Sequence, residues 1–496
     1  MTTASGPRKE TDGAAPAYPK QHYIGGRWCA PDGAATTLPL VNPADGTRWG
    51  GIPTGSAADV DRAVDAAAGA LRSWSATSPR ERTRLLLRMA DGLDARAERM
   101  ARDITHEMGT PLGESRRLQV PLGIRTFRRT AEILSGMSAR EDLGATVVHR
   151  TAVGTVGCLT PWNYPLYLVA TKVAPALAAG CTVVIKPSEL APGGALHLAD
   201  VAHRAGLPPG VLNVVLGDGP ETGRALAGHP RLDALSFTGS AAVGRRVAAE
   251  AGAALTRVTL ELGGKSPSVL LPDADLEPAV RATVQKAFQN AGQTCAALTR
   301  LLVPRALLPD AADLASGCAG RYLPGPPSDP ETVLGPLASE AQRTRVAAYI
   351  RSGTAQGARL ITGGPDRVRG LEAGAFVHPT VFTDVPPDAA IATEEIFGPV
   401  LSLIPYDTED EARRIADGLG SGLSAAVWSR DEERAYRLAR GLRVGSVSVN
   451  GAPTHPDAPF GGFKESGFGR ERGRAGIEEF RTTQAVHRTP PRVGDE

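Results

Sequence analysis

Three things are scarce in this 496-residue sequence: lysine, cysteine and uninterrupted apolar stretches. The only lysines are 9, 20, 172, 186, 265, 286 and 464, although Lys and Arg together number 55. A lysine set among apolar residues therefore calls for a specific reason. The five cysteines (29, 158, 181, 295 and 318) are odd in number and include no CxxC pair, which argues against a disulfide framework or a zinc site. No metal is expected. No run of 18 apolar residues occurs, so no transmembrane helix is expected. The segment Met1–Lys20 is polar and lacks an apolar h-region, so it does not read as a signal peptide. A cytoplasmic location is the default expectation. Asp and Glu number 53, leaving a net charge of +2. No strong pull toward nucleic acid or an anionic membrane follows from that, and neither is expected as a partner.

What is present is an ordinary globular balance, 42% hydrophobic and 22% charged. At roughly 100–200 residues per domain the length suggests two to four domains. Residues 1–18 read as a disordered tail. From Ala57 to about Met108 the apolar spacing is helical, through Val60, Val64, Ala68, Leu71, Leu85, Leu86, Met89 and Leu93. Pro161 to Gly263 behaves differently. Short β-branched runs at Thr182–Ile185, Val211–Leu216, Ala234–Phe237 and Arg257–Leu260 alternate with helical patterns at Leu168–Leu177, Ala195–Ala205, Glu221–Leu226 and Ala242–Ala251. That βαβ rhythm implies a parallel, doubly wound α/β sheet, a common home for a nucleotide. A second α/β region follows, with strands expected at Ser268–Leu271, Arg300–Val303, Val400–Pro405, Ala425–Trp428 and Ser446–Val449.

Several short segments carry candidate chemistry, each with an ordinary structural explanation beside it. Gly239 and Ser240 follow an expected strand and open a helix, which suits a pyrophosphate. Their spacing to Gly244 is GxxxxG with no Walker lysine, and a plain strand–turn–helix accounts for it equally. Lys186, Ser188 and Glu189 lie just past a strand, where ligands sit in such sheets, or form a solvated loop. Cys295, in Gln289-Asn290-Ala291-Gly292-Gln293-Thr294-Cys295, has polar neighbours unlike those of a core cysteine, whereas Cys158 and Cys181 border apolar strands. Glu261 stands between Leu260 and Leu262, either snorkelling or held for a task. Partial burial would raise its pKa toward that of a useful base. Asn163, fixed between Pro161 and Pro165, can aim its amide at an oxyanion or make a local turn. Glu394 and Glu395 sit beside Phe397, and Pro459 to Gly467 is a glycine-rich aromatic loop.

Together these segments resemble the aldehyde dehydrogenase superfamily. The pieces are PWNYP (161–165), KPSE (186–189), FTGS (237–240), LELGGKSP (260–267), GQTC (292–295), EEIFGPV (394–400) and PFGGFKESGFGRE (459–471), in the family's order and spacing from about Tyr23 to Val486. The resemblance implies a three-part fold. An NAD(P)-binding Rossmann-like domain of five strands takes 19–133 and 153–262, and a catalytic α/β domain takes 263–465. A small oligomerisation element takes 134–152 and 466–496, with a β-hairpin at about Ser138–Thr151 that pairs with the C-terminus and a partner subunit. A homodimer or homotetramer is implied.

The resemblance also assigns roles. Cys295 matches the nucleophile, Asn163 and the Cys295 backbone N–H the oxyanion hole, and Glu261 the general base. Thr160, Trp162 and Leu262 match the cofactor channel, Lys186, Ser188 and Glu189 the adenosine ribose site, and Gly219 and Pro220 the adenine wall. Gly239 and Ser240 match the pyrophosphate contact, Glu395 and Phe397 the nicotinamide ribose site, and Tyr164 and Phe460 an aromatic aldehyde tunnel. The implied reaction oxidises an aldehyde through a Cys295 thioester that Glu261-activated water hydrolyses, with NAD preferred and NADP possible. Glu261 disfavours a CoA-acylating relative, the presence of Cys295 and Glu261 a non-enzymatic one, and the missing P-loop a nucleotide hydrolase. The runs Glu107–Pro111 and Asn450–Pro453 look like the branch with semialdehyde dehydrogenases of alicyclic and aromatic catabolism. The physiological aldehyde is not legible.

Overall fold

The alternation of β-branched and alanine-rich runs becomes a layered α/β architecture in the computed structural model, which describes residues 15–33 and 36–489. Most of the expected tail, 1–18, lies outside the described residues. The first sheet runs in the order Arg27–Cys29, His22–Ile24, Leu212–Val214, Thr182–Lys186, Thr155–Leu159, Ala234–Gly239, Arg257–Leu262, Gly467–Phe468. Its five inner strands are parallel. Thr155–Leu159 and Thr182–Lys186 are buried along their whole length, as strands covered by helices on both faces must be. The outer three strands are antiparallel additions. They are two or three residues long, too short to leave a period in the sequence.

The second sheet has seven strands, ordered Arg359–Thr362, Thr380–Thr383, Val400–Tyr406, Arg300–Pro304, Pro267–Leu270, Ser424–Trp428, Ser446–Val449. It is parallel except at its first edge. In a third sheet Thr146–Ala152 pairs with both Arg140–Asp142 and Arg481–His487. The segment after residue 465 is thus divided: Gly467–Phe468 extends the first sheet and Arg481–His487 the third. No helix among the described residues is long and apolar enough to cross a membrane.

The long helical pattern at 57–108 is three helices, Ala57–Ser75, Pro79–Asp94 and Ala97–Met108. The break before the second follows from Ser78, which caps it, and Pro79, whose fixed φ suits a first helical position. The first helix opens with a capping box: Ser56 accepts from Asp59 N, and Asp59 returns the bond to Ser56 N at 2.9 Å. Asp59 is buried, accepts from Asp32 N at 2.9 Å, contacts Arg62, and lies 3.5 Å from His22 Nε2. His22 Nδ1 in turn accepts from Leu216 N at 3.2 Å. One carboxylate thus ties a helix start to the edge of the first sheet.

Burial alone would push the Asp59 carboxyl up, but the Ser56 N–H, Arg62 and the Asp32 N–H outweigh it, and its pKa falls below the usual range. A depressed carboxylate stabilises the fold above its unfolded pKa, and that contribution disappears as pH falls through the folded value. Asp59→Asn is expected to cost about 1–3 kcal/mol at pH 7, the cost of leaving such buried donors poorly paired. The gap from wild type should narrow below about pH 4. Unfolding midpoints of both proteins at pH 7 and at pH 3.5 check this; a gap that does not change with pH would show that the ionised carboxylate is not the stabilising form.

Candidate active site

Parallel strands end with their carbonyls and following loops on one edge, and a cleft of about 710 Å³ opens there in the first sheet. Thr160 and Trp162 follow the Thr155–Leu159 strand into it, and Lys186, the last residue of its own strand, is joined there by Ser188 and Glu189. Gly219 and Pro220 come from the turn after Leu212–Val214, and Gly239 and Ser240 from the end of Ala234–Gly239. Ser240 caps the helix Ala241–Ala253, accepting from Val243 N at 3.3 Å. The remaining first-turn N–H groups of such a helix favour an anion. Gly244 has a packing reason: a Cβ there would lie 2.6 Å from the Leu262 side chain. The second glycine of GxxxxG therefore lets the helix approach the Arg257–Leu262 strand.

Lys186 Nζ donates to the Gly217 carbonyl at 3.1 Å and sits 3.6 Å from Glu189 Oε2. Burial lowers its pKa and Glu189 opposes that shift. The hydroxyls of Thr160 and Thr238 are buried without partners among the described residues. Orphaned hydroxyls, a capped helix start and a lysine–carboxylate pair fit a ligand with phosphates and ribose hydroxyls. Arg224, Arg246 and Glu250 also line the cleft, with Arg224 bonded to Glu250 at 2.9 Å. Their scattered, exposed helical positions gave no sequence signal.

Leu262, Glu395 and Phe397 are not on the walls of this cleft. Phe397 meets Trp162 edge-on, ring centroids 5.4 Å apart, and has a left-handed φ of 62°. The Glu395 carboxylate lies against Gly263, where a Cβ would come within 2.0 Å of Oε2. Glycine is thus required at 263 if Glu395 is to lie there. Burial first raises the Glu395 carboxyl to about 7, against the Gly264 N–H and Lys265, and its Oε1 has no partner among the described residues. Beside it, burial and then Arg300 bring Lys265 down to about 7, with Nζ likewise unpartnered. These groups border a second cavity of about 330 Å³ that also includes Gly263, Gly264 and Glu465.

Cys295 follows the Gln289–Gly292 turn at the end of the helix Leu276–Phe288. Asn290 and Ala291 in that turn have φ of 52° and 54°, a bend that a core helix would not contain. The turn is held by polar contacts. Asn163 Nδ2 donates to the Gln293 carbonyl at 2.9 Å, and the Asn163 carbonyl accepts from Asn290 Nδ2 at 2.9 Å and Gln119 Nε2 at 3.1 Å. Gln293 Oε1 accepts from Ala338 N at 2.9 Å. Asn163 and the backbone preceding Cys295 are therefore one rigid unit. Burial pushes the Cys295 thiol up to about 12, Glu395 and Glu261 push the same way, and Arg472 opposes them. The resting thiol is neutral near pH 7.

Glu261 is 3% exposed, and neither carboxylate oxygen has a hydrogen-bond partner among the described residues. Burial and then the negative Glu471 drive its pKa upward, against Lys172, Arg470 and Arg472. An uncommitted, partly protonated carboxyl near a thiol can exchange protons. Two of its neighbours went unassigned in the sequence. Lys172 is 0% exposed and donates to Glu471 Oε1 at 2.8 Å and Ser236 Oγ at 2.9 Å. The scarcity of lysine was the available signal for Lys172; for Glu471 there was none beyond its place in the quoted motif.

Tyr164 and Phe460 border the other side. The Tyr164 hydroxyl is 3.0 Å from Thr294 Oγ1, beside the nucleophile candidate. Phe460 exchanges backbone bonds with Glu471 at 2.8 and 2.7 Å. The Arg472 guanidinium, also unassigned in the sequence, lies over the Phe460 ring at 4.5 Å.

Residues 28–486 match the aldehyde dehydrogenase family. A 3-succinoylsemialdehyde-pyridine dehydrogenase from Pseudomonas sp is 46% identical over 468 residues, covering 94% of this chain and 98% of that protein. The structure of a mutant aldehyde dehydrogenase C from Pseudomonas syringae, complexed with NAD+ and octanal, shares 46% identity with a TM-score of 0.93, covering 97% of this chain and 98% of that one. An aldehyde dehydrogenase from Mycobacterium tuberculosis, complexed with NAD+, is 40% identical with a TM-score of 0.92, covering 95% and 98%. With its two α/β sheets and its cleft, the chain belongs to the aldehyde dehydrogenase family and is an oxidoreductase acting on aldehydes.

Proposed function

We propose that this chain oxidises an aldehyde to a carboxylic acid with NAD, through a covalent intermediate on Cys295. The observation that carries the reading is the convergence of a neutral thiol, an oriented amide and an uncommitted carboxyl: Cys295, Asn163 and Glu261. NAD is taken as cofactor because solved relatives hold NAD+ and because the cleft's orphaned hydroxyls, helix start and Glu189 suit a dinucleotide. Lys186, Ser188 and Glu189 would hold the adenosine ribose, Gly219 and Pro220 the adenine, and Gly239 and Ser240 the pyrophosphate. Thr160, Trp162 and Leu262 would border the channel, and Glu395 with Phe397 the nicotinamide ribose. When bound, NAD accepts a hydride from the substrate carbon.

The rest of the chemistry belongs to the chain. Glu261 in its ionised form takes the Cys295 proton, directly or through water, because a thiol near 12 is not its own nucleophile at neutral pH. Sulfur adds to the aldehyde carbon, and the oxygen that gains charge is met by the Asn163 amide and the Cys295 N–H. Loss of hydride leaves a thioester. Glu261 gives up that first proton to solvent and then deprotonates a water that attacks the acyl carbon, and the thiolate leaves and recovers a proton from Glu261. Tyr164 and Phe460 guide the aldehyde.

The same reading extends to the assembly. The cofactor domain takes 19–133 and 153–262 and the catalytic domain 263–465. The segments 134–152 and 466–496 join subunits of a homodimer or homotetramer, supported by Leu143 and Val486, which expose 60% and 39% of their surface on the third sheet and its turn.

Cys295→Ala is expected to lower kcat by more than about 10²-fold while cofactor binding stays measurable. Glu261→Gln is expected to give a burst of roughly one reduced cofactor per active site before slow turnover, because deacylation needs the base. Stopped-flow absorbance reads both; a burst lost in proportion to turnover would place Glu261 at thiol activation instead. NAD should be preferred over NADP, since Glu189 repels a 2′-phosphate, with a Coulomb cost of about 4 kcal/mol for unit charges 4 Å apart at an effective dielectric near 20. Lys186, Arg224 and Arg246 work against that preference, so NADP remains usable. Comparing kcat/KM for the two cofactors in wild type and Glu189→Ala decides it; a preference unchanged by the substitution removes Glu189 as its cause.

A further inference from the structure

Arg472 is a cation with no salt-bridge partner among the described residues, and its Nε is buried without a hydrogen-bond partner. Its neighbours in the chain differ: Arg470 donates to the Gly462 and Gly469 carbonyls, and Arg474 approaches Glu478 at 3.6 Å. The acidic groups nearby form no ion pair with it. Glu471 is paired with Lys172, and burial drives Glu261 toward its neutral form. What surrounds the guanidinium instead is aromatic, the Phe460 ring at 4.5 Å and the Tyr167 ring at 5.6 Å, and the Tyr167 hydroxyl also accepts a hydrogen bond from it.

The backbone holds this side chain in place against its own preference. Arg472 has φ 68° and ψ 161°, a conformation that a residue with a side chain rarely adopts. On one side Glu471 is locked to Phe460 by two backbone bonds. On the other, Gly473 lies so close to the Asp457 carbonyl that a Cβ would come within 2.0 Å of it. Asp457 is itself anchored to Arg129 Nε at 3.0 Å. Strain imposed from both flanks aims a charged fork at a defined place.

That place lies on the substrate side of the reaction centre. From Cys295 the neighbouring Thr294 contacts the Tyr164 hydroxyl at 3.0 Å, Tyr164 meets Tyr167 at 6.3 Å between rings, and Tyr167 meets Arg472. The charge of Arg472 is felt at both Cys295 and Glu261. Arg472 is nonetheless part exposed, so a ligand arriving from solvent reaches it. Aromatic faces compensate a guanidinium only in part, whereas a carboxylate matches its fork with two parallel hydrogen bonds. A neutral aldehyde would leave the donors that Tyr167 does not take, Nε among them, unpaired in a partly dry site.

We propose that Arg472 is a specificity-determining residue that binds a carboxylate carried by the substrate, so that the aldehydes this chain selects are oxo acids. The proposal rests on the assignment of Cys295 as nucleophile and names the substrate class of that same site. In this arrangement the aldehyde end lies at Cys295, the carboxylate end lies at Arg472, and Tyr164, Tyr167 and Phe460 flank the carbon chain between them.

The test compares 4-oxobutanoate with butanal and 6-oxohexanoate with hexanal, read as reduced NAD, in wild type, Arg472→Leu and Arg472→Lys. Wild type is expected to give the higher kcat/KM with the oxo acid in at least one pair. Arg472→Leu is expected to lower that oxo-acid-to-aldehyde ratio by about 30-fold or more, chiefly through KM, as loss of a charged recognition contact does. Arg472→Lys, which keeps the charge without the fork, should retain part of the ratio. A wild-type ratio at or below one in both pairs overturns the proposal while leaving the dehydrogenase reading intact. So does an Arg472→Leu variant that loses activity equally on both members of each pair, because the arginine then serves the thiol or the fold. No reduction of NAD with any of the four aldehydes overturns both readings together.

Discussion

Lys172 carries an ammonium group into the helix Tyr167–Ala179, where every residue from Leu168 onward is buried. A charge in such surroundings persists only if it is paired and hydrogen-bonded. Glu471 and Ser236 do that, and they come from two other places, the C-terminal loop and the Ala234–Gly239 strand. The pair therefore fixes the loop bearing Phe460, Glu471 and Arg472 onto the first sheet, directly beside Glu261. Breaking one partner would leave an uncompensated buried charge, the costly half of a buried ion pair. The position of the substrate side relative to the cofactor cleft depends on this contact.

The same low-dielectric surroundings account for the protonation pattern of the centre. Burial disfavours charge, so the Cys295 thiol and the Glu261 and Glu395 carboxyls all move up while Lys265 moves down. The amide of Asn163 takes its orientation from the carbonyl of Gln293, which lies just before Cys295 in the chain. Positioning and activation are consequently built from different materials, backbone-anchored amides for one and buried ionisable groups for the other.

Much of the fold was legible because its signals are local. The buried parallel strands Thr182–Lys186, Ala234–Gly239 and Arg257–Leu262 declare themselves as β-branched and apolar runs, and the helices between them as alanine-rich ones. The expected strand Val211–Leu216 is shorter, Leu212–Val214, and the expected helix Glu221–Leu226 is a turn at Gly219–Gly223 followed by Arg224–Ala227. Glycine and proline at 219 and 220 delay the regular helix, which pattern alone did not show. The antiparallel edges His22–Ile24, Arg27–Cys29 and Gly467–Phe468 were invisible, since pairing with a distant strand leaves no mark on two or three residues.

The chain's own residues determined the α/β alternation, the helix start capped by Ser240, and the set of short segments whose joint order identifies the family. They did so because backbone preference and side-chain period act over a few neighbours. Tertiary structure alone decided which side chains become functional. Glu261 is an uncommitted carboxyl because burial and Glu471, 210 positions later, change its proton affinity. Gly244 is a spacer because Leu262 faces it. Arg472 has no ion pair among the described residues, while Lys172 holds the glutamate next to it in the chain. Electrostatics and packing depend on distance in space, and sequence separation carries no information about that distance until the chain has folded.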